Sequence, residues 1–224
     1  MHPQTAREIN LGLIALALSG LLFAVGIVMR GPVDLADPGS CCRVAPAPAY
    51  APGWMIILVG AVLNLYGLIG LYRYLTHQAG NPFALPGLVL GVAGIALVIP
   101  LATFFGVNGP VIADLYQQGI REVIEVVEAT FTGALGLALL ATSSLTGTVG
   151  AILFGIAIWR DGRSPRWTGV IFALSVALLA VPITFATELL GAMLLLISAS
   201  VMWWNARQPP ALGTQALANN RPAE

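Results

Sequence analysis

Six long apolar stretches fill most of the 224-residue chain, and the polar segments that separate them alternate in charge. Only 9% of the residues are charged, whereas a soluble domain carries about 25%. A chain this apolar cannot cover a water-facing surface, so its solvent must be lipid. Because a helix satisfies its own backbone hydrogen bonds inside a bilayer, the pattern predicts an all-α, polytopic transmembrane helical bundle of about six spans.

The apolar runs give the positions of the spans. The run 167–204 is too long for one helix, and we expect two helices there with a turn near residues 185–188. The other four spans are predicted at residues 10–29, 54–74, 85–107 and 131–159. They belong to a single transmembrane domain, 1–205, which is followed by a polar tail, 206–224, predicted to be disordered.

Arginines set the orientation. Seven of the ten arginines fall on the side of the predicted membrane that holds both termini, and three fall on the other side. The positive-inside rule therefore predicts cytoplasmic N- and C-termini. The chain has no lysine and is rich in Ala, Leu, Gly and Arg, a usage that favours a bacterial source. We accordingly expect a multi-pass protein of the cell inner membrane, with the lipid bilayer as its first partner.

The segment 111–128 has a helical period but mixed polarity, and it lies between the third and fourth spans. Its charged residues share one arc at 100° per residue, which predicts an amphipathic helix that lies in the outer interface or caps the bundle. Together with Glu188 these carboxylates form a candidate outer acidic binding face for cations or a basic protein segment: Asp114, Glu122, Glu125, Glu128 and Glu188. The alternative is simply the hydrated face of an interfacial helix, with Arg121 pairing to Glu125.

Polar side chains at mid-depth form a second candidate site. This intramembrane polar belt consists of Asn64, Thr142, Ser143, Ser144 and Thr146. Polar groups in hydrocarbon need partners, so the belt is expected to face the bundle. It can line a permeation path or serve helix–helix hydrogen bonding. No Asp, Glu, Lys or Arg is predicted at mid-depth, which weighs against a proton-coupled carrier.

Glycines spaced along three of the predicted spans give smooth faces for close helix packing. The longest series is Gly87, Gly91 and Gly94, and shorter ones occur at Gly67 with Gly70 and at Gly147 with Gly150. Such faces serve either contacts within one bundle or a homo-oligomer, and the sequence leaves both open.

The outer Pro/Ala-rich loop, 30–53, carries Cys41 and Cys42, the two cysteines of the chain. An oxidising exterior favours a disulfide, although adjacent cysteines bridge each other only with backbone strain. The options are a vicinal disulfide, two intermolecular bridges, thiols that bind a soft metal, or a structural role. No metal site is predicted, because no C-x-x-C motif or nearby histidine accompanies them.

Several function classes are excluded by the residues present. Without lysine there is no retinal or pyridoxal Schiff base and no Walker phosphate loop. No G-x-S-x-G or H-E-x-x-H motif occurs, and no basic block suggests nucleic acid. We therefore expect a protein without cofactors that is not an enzyme. The leading hypothesis is a membrane module that binds a protein partner, a second copy or lipid, and the alternative is a small carrier or channel subunit.

The segment 155–169 runs from a helix that ends in Trp159-Arg160, through a short Gly/Pro turn, to Arg166-Trp167-Thr168-Gly169. It resembles the central loop of uncharacterised bacterial six-span membrane proteins, and the opening Thr5-Ala6-Arg7 is similar too. That resemblance implies the six-span layout and no activity. The Pro/Ala-rich loop with its Cys-Cys pair departs from it.

Overall fold

The computed structural model describes residues 3–33, 40–77, 80–180 and 184–208, and the regular structure within these ranges is entirely helical. In chain order the helices are α1 (Pro3–Arg30), α2 (Ser40–Val44), α3 (Tyr50–Thr76), α4 (Ala84–Gln117), α5 (Glu122–Thr132), α6 (Ala134–Asp161), α7 (Arg166–Ala180) and α8 (Phe185–Arg207). Five of them, α1, α3, α4, α6 and α8, are long and apolar enough to cross a membrane. The predicted all-α, multi-pass bundle is therefore confirmed, while α7, with 15 residues, is shorter than a typical span.

Six helices form a closed ring. α1 packs against α3, α3 against α4, α4 against α6, α6 against α7, α7 against α8, and α8 returns to α1. Neighbours run antiparallel, since Gly12 near the start of α1 meets Gly70 near the end of α3, and Gly26 meets Gly53. Each end of the ring is named after one arginine. The Arg30 end is where α1 finishes, and the Arg163 end is where the loop between α6 and α7 lies.

Glycines let the ring helices approach closely. A Cβ atom added to Gly70 would lie 2.4 Å from the Cα atom of Gly12, and one added to Gly94 would lie 2.7 Å from the Cα atom of Gly147. Gly155 and Gly169 make a similar crossing between α6 and α7. The predicted glycine faces therefore serve contacts within one chain, where small residues allow backbones to pack in lipid.

Large side chains form a separate core cluster at each end of the ring. Phe154, Phe172, Leu71, Leu195 and Met202 are among the fully buried side chains of the core at the Arg163 end. The Arg30 end has its own core cluster, in which the rings of Trp54 and Phe105 stack with centroids 5.2 Å apart. On the outside, exposed aliphatic side chains cover the helices, as expected for a surface in contact with lipid.

The segment 111–128 differs from the prediction of one amphipathic helix. α4 continues through Pro110 as far as Gln117, and α5 is a separate, shorter amphipathic helix between α4 and α6. The break occurs at Gly119, whose φ of 89° is readily adopted by glycine. There the Ile120 N–H donates to the Leu115 carbonyl and the Gly119 N–H to the Tyr116 carbonyl, which is a Schellman C-cap.

Three other predicted boundaries shift. The run 167–204 divides into α7 and α8 as predicted, but α8 already begins at Phe185, with Thr184 as N-cap in a capping box with Thr187. The predicted loop 30–53 contains the short helix α2, and its last residues, from Tyr50 onward, belong to α3. α8 extends to Arg207, and the predicted disordered tail lies outside the described residues from position 209 onward.

Candidate functional site

A cavity of about 230 Å³ lies inside the ring and is lined by residues from all six ring helices. On α3 its lining runs from Trp54 to Leu68, and on α4 from Gly91 to Phe105. With a rise of about 1.5 Å per residue, each series covers about 20 Å, roughly two thirds of a hydrocarbon core. A cavity of about 150 Å³ accepts benzene, so this one has room for a longer apolar molecule.

The wall of the cavity is mostly aliphatic and aromatic. Its polar and charged lining residues are Arg30, Asn64, Ser143, Ser144 and Glu188. At the Arg163 end the cavity stops against Leu68, Phe154 and Phe172, where the ring interior is densely packed. The charged lining residues are both at the Arg30 end, so the cavity has one charged end and one apolar end.

Arg30 and Glu188 form a buried ion pair at that charged end. Arg30 is the last residue of α1 and donates from Nη2 to Oε2 of Glu188, which lies in the first turn of α8. Their side chains are only 6% and 9% exposed. The pairing is required, because an isolated charge in such surroundings would carry a large desolvation cost. The Arg30 guanidinium carbon also lies 4.6 Å from the centroid of the Trp54 ring, a cation–π contact.

Two N–H donors at the same end have no hydrogen-bond partner among the described residues. The Nε atom of Arg30 and the Nε1 atom of Trp54 are buried and make no hydrogen bond within the described part of the chain. Buried donors are nearly always paired, and leaving one unpaired costs about 1–3 kcal/mol. Both residues line the cavity, but these two nitrogen atoms have essentially no accessible surface, so neighbouring atoms close them off from the cavity.

The polar belt is only partly assembled at the cavity. Asn64 donates from Nδ2 to Oγ of Ser19, 3.2 Å away, which ties α3 to α1. Ser143 donates to the carbonyl oxygen of Gly94 at 2.9 Å, which ties α6 to α4, and Ser144 donates to the carbonyl of Ala180. These three residues serve the helix–helix hydrogen bonding that the sequence left open, while also lining the cavity.

The remaining two belt residues lie elsewhere. Thr142 is exposed on α6, and Thr146 donates back to the Thr142 carbonyl of its own helix at 2.7 Å. Such a bond satisfies a threonine hydroxyl without any neighbouring helix. The structure therefore does not bring Thr142 and Thr146 into the cavity with the other three residues.

The predicted outer acidic face is divided in two. Asp114 near the end of α4 and Glu122, Glu125 and Glu128 on α5 are all exposed. Glu188, by contrast, faces the ring interior and is bound to Arg30, so its inclusion in that face was wrong. Within the described residues, no group of three or more His, Cys, Asp or Glu side chains is arranged to hold a metal ion.

Cys42 is buried in the core cluster at the Arg30 end. The side chain of Cys41 lies outside the described residues, and the disulfide that involves these two cysteines stays a prediction.

A second cluster fixes the loop at the Arg163 end. Arg163 donates to both carboxylate oxygens of Asp161, at 2.7 and 2.8 Å, and to the backbone carbonyl of Tyr74 at the end of α3. Its guanidinium carbon lies 4.1 Å from the Tyr74 ring centroid, and the Tyr74 hydroxyl is 3.4 Å from Oγ of Ser164. The segment 155–169 thus includes an anchor between α6, α7 and α3.

The sequence reasoning missed Arg30 and Trp54 as site residues. The signal available was their position: Arg30 at the end of the first span, Trp54 at the start of the second, and Glu188 at the start of the last, all on one predicted side. Opposite charges at the same depth are candidates for an interhelical pair. What the sequence lacked was the order of helices around the ring, which makes α1 and α8 neighbours.

Comparisons with protein-family models, with curated proteins and with solved structures found no match to this chain. The functional inference consequently rests on the geometry of the ring and its cavity.

Proposed function

We propose that this chain is a non-enzymatic module of the bacterial inner membrane that binds one lipid-like molecule in the cavity of its helix ring. The observation that carries this proposal is the shape and chemistry of the cavity. It extends for about 20 Å, it is lined mainly by apolar side chains, and its two charged side chains lie at one end. An elongated molecule with an apolar body and a small polar end matches that lining.

The arrangement in the membrane follows from the ring. α7 is short, but it is the neighbour of both α6 and α8 and completes the ring. We therefore propose six membrane crossings. Most of the arginines lie at the Arg163 end or in the tail beyond α8, so the positive-inside rule favours a cytoplasmic Arg163 end with both termini on that side.

A cavity-filling substitution tests the proposal. Ala102 on α4 is 2% exposed and lines the cavity, whereas Ala96 on the same helix is exposed on the outside. Ala102→Leu should displace the bound molecule, and Ala96→Leu should leave it in place. Native mass spectrometry of protein gently extracted from its own membrane would measure the fraction that carries a defined lipid-mass adduct.

A thermal unfolding curve in the same detergent controls for misfolding, since an added methylene costs about 1–3 kcal/mol in a tight site. If Ala102→Leu does not fold, Ala102→Val provides the smaller step. A wild-type protein that carries no adduct, or an adduct that survives in both folded variants equally, contradicts the proposal.

The second candidate function is a small carrier. It is favoured by one observation, namely that the cavity holds an ionisable pair at the Arg30 end and stops at packed side chains toward the Arg163 end. A one-sided cavity is what a carrier presents in one of its states. In the same experiment, a bound molecule that is a water-soluble solute rather than a lipid would favour the carrier.

A further inference from the structure

We propose that the molecule in the cavity carries a hydroxyl group within its apolar body, and that this hydroxyl donates a hydrogen bond to Oδ1 of Asn64. This inference rests on the proposed function and specifies the class of ligand: a lipid with a hydroxyl inside its apolar part rather than a plain hydrocarbon chain. Asn64 is 6% exposed and lines the cavity near the middle of α3, away from the ion pair of Arg30 and Glu188.

The hydrogen bonds of Ser19 fix how the Asn64 amide is turned. Ser19 donates its hydroxyl proton to the carbonyl oxygen of Leu16, 2.7 Å away. Its Oγ atom can then only accept from Asn64, so the amide group that faces it at 3.2 Å is the NH₂ donor. The other atom of the amide, Oδ1, is therefore a hydrogen-bond acceptor that is not turned toward Ser19.

This Oδ1 atom is accessible from the cavity. It accepts no hydrogen bond within the described part of the chain, and, unlike Nε of Arg30, it is not closed off by neighbouring atoms. Because Asn64 is a buried residue of the cavity wall, the accessible surface of this oxygen faces the cavity. An acceptor in apolar surroundings is stabilised by a donor, and a molecule in the cavity is positioned to supply one.

The neighbouring polar residues of the wall favour a hydroxyl over other polar groups. Ser143 already donates its hydroxyl proton to the Gly94 carbonyl oxygen at 2.9 Å. Ser144 donates its own to the Ala180 carbonyl oxygen. These side chains therefore keep acceptor capacity, and their hydroxyl protons are used. A ligand hydroxyl supplies the missing proton, whereas an ester or ketone carbonyl supplies none and a carboxylate would add an unpaired charge.

The depth of Asn64 sets where the hydroxyl lies along the molecule. Leu68, one helix turn further along α3, lies at the closed end of the cavity, about 6 Å beyond Asn64. Trp54, at the charged end, lies about 15 Å away in the other direction. The hydroxyl is thus expected about 6 Å from the end of the molecule that packs against Leu68, with the longer part extending toward the Arg30 end.

Photocrosslinking in lipid nanodiscs tests this directly. Three diazirine probes with the same long saturated chain would be used: one with a hydroxyl about 6 Å from one end, one with a hydroxyl at the very end and one without a hydroxyl. Crosslinks to α3 and α4 are located by peptide mass spectrometry. We expect the inner-hydroxyl probe to label the cavity residues about three- to tenfold more than either other probe, the effect of one net hydrogen bond.

Asn64→Leu is the informative variant, because it removes the acceptor and keeps the number of side-chain heavy atoms. It should lower labelling by the inner-hydroxyl probe to that of the hydrocarbon probe. Ser19→Ala is a matched control: it breaks the same bond between α1 and α3, but Ser19 is not part of the cavity wall. Thr146→Val is a second control, since Thr146 bonds within α6 and lies outside that wall. The preference should persist in both controls.

The outcomes separate this inference from the proposed function. Equal labelling by the inner-hydroxyl and hydrocarbon probes, or preferred labelling by the terminal hydroxyl, overturns the hydroxyl inference while leaving a lipid cavity in place. A preference that persists in folded Asn64→Leu overturns the role of Asn64. No cavity labelling by any probe overturns the proposed function itself. If thermal unfolding shows that Asn64→Leu is misfolded, Asn64→Ala removes the same acceptor with a smaller side chain, and the same loss of preference is expected.

Discussion

Arg30 and Glu188 are separated by 158 positions in the sequence, yet their side chains form a buried ion pair that joins the first and last long helices of the ring. The pair belongs to the interface between α1 and α8, which closes the ring. It also forms the charged end of the cavity. One contact thus stabilises the ring and shapes its candidate binding site.

Removing one member of this pair should be strongly destabilising. Glu188→Leu would leave the Arg30 guanidinium buried without a counter-charge, and we expect a loss of about 3–5 kcal/mol. The double variant Arg30→Met with Glu188→Leu should recover most of that loss, because no uncompensated charge remains. Reversible unfolding in mixed detergent–SDS micelles would measure both.

The exposed ion pair between Arg73 and Glu8 provides the control, since these side chains are 47% and 43% exposed. Glu8→Leu should cost less than about 1 kcal/mol. A Glu188→Leu variant as stable as Glu8→Leu would contradict the assignment of a buried pair.

The crossing of α4 and α6 predicts unequal effects at two glycines. In Gly94→Ala the new Cβ atom would meet the Gly147 backbone at 2.7 Å, so the helices must separate. In Gly147→Ala the nearest atom is 4.0 Å away, an ordinary contact. We expect Gly94→Ala to be destabilised by about 1–3 kcal/mol and Gly147→Ala to be unchanged or slightly stabilised. Equal unfolding midpoints would argue against this packing.

Arg163 should be needed to hold the loop between α6 and α7. Lysine at this position could not make the paired bonds to Asp161 and also reach the Tyr74 carbonyl, because it lacks the planar guanidinium. We expect Arg163→Lys to increase hydrogen exchange at residues 162–164 about tenfold, the effect of losing a hydrogen bond to a charged group. Arg166→Lys is the control, since Arg166 is exposed and lies 5.9 Å from the Trp159 ring centroid. Similar exchange in both variants would show that Arg163 is no anchor.

The proposed orientation predicts opposite labelling of two loops. Gln118 follows α4 at the Arg30 end and Pro165 precedes α7 at the Arg163 end, and both residues are exposed. In a background without Cys41 and Cys42, a cysteine at position 118 should react with a membrane-impermeant maleimide applied to intact spheroplasts. One at position 165 should react only after permeabilisation. The reverse pattern would invert the topology.

The acidic residues of α5 allow a test of partner binding that is separate from the cavity. Glu122, Glu125 and Glu128 are exposed, so changing all three to Gln should leave the unfolding midpoint within about 1 kcal/mol of wild type. If the acidic face of α5 binds a basic protein segment, the triple variant should recover less of that partner in pull-downs. Unaltered recovery would remove this face as an interface.

The mid-depth polar residues show which part of the candidate site could be predicted from the sequence. Asn64, Ser143 and Ser144 could be predicted to face inward because unpaired polar groups are costly in hydrocarbon. Thr142 and Thr146 fit the same rule but lie outside the cavity, since a threonine hydroxyl can bond within its own helix. The rule says that a polar side chain at mid-depth needs a hydrogen-bond partner, but it does not say whether that partner belongs to the same helix or to a neighbouring one.

The amphipathic segment shows a different limit. Its charge arc correctly indicated a helix of mixed polarity between α4 and α6, but not the break at Gly119. The apolar and charged residues on both sides of Gly119 keep a helical period, so periodicity alone does not reveal the interruption. The Schellman cap that stops α4 depends on one left-handed backbone angle, which glycine permits without requiring.

The sequence by itself determined that the chain is a helical membrane protein and approximately where its helices lie. The reason is that the hydrophobicity and length of a segment are local properties, and they decide whether that segment fits the hydrocarbon core of a bilayer as a helix. The tertiary structure alone decided which helices are neighbours and which faces turn inward. In lipid a helix is apolar on its outer face as well as its inner one, so no hydrophobic stripe points to the core. Only the closed ring placed Arg30 against Glu188 and Trp54 beside Arg30, with an elongated cavity inside the ring.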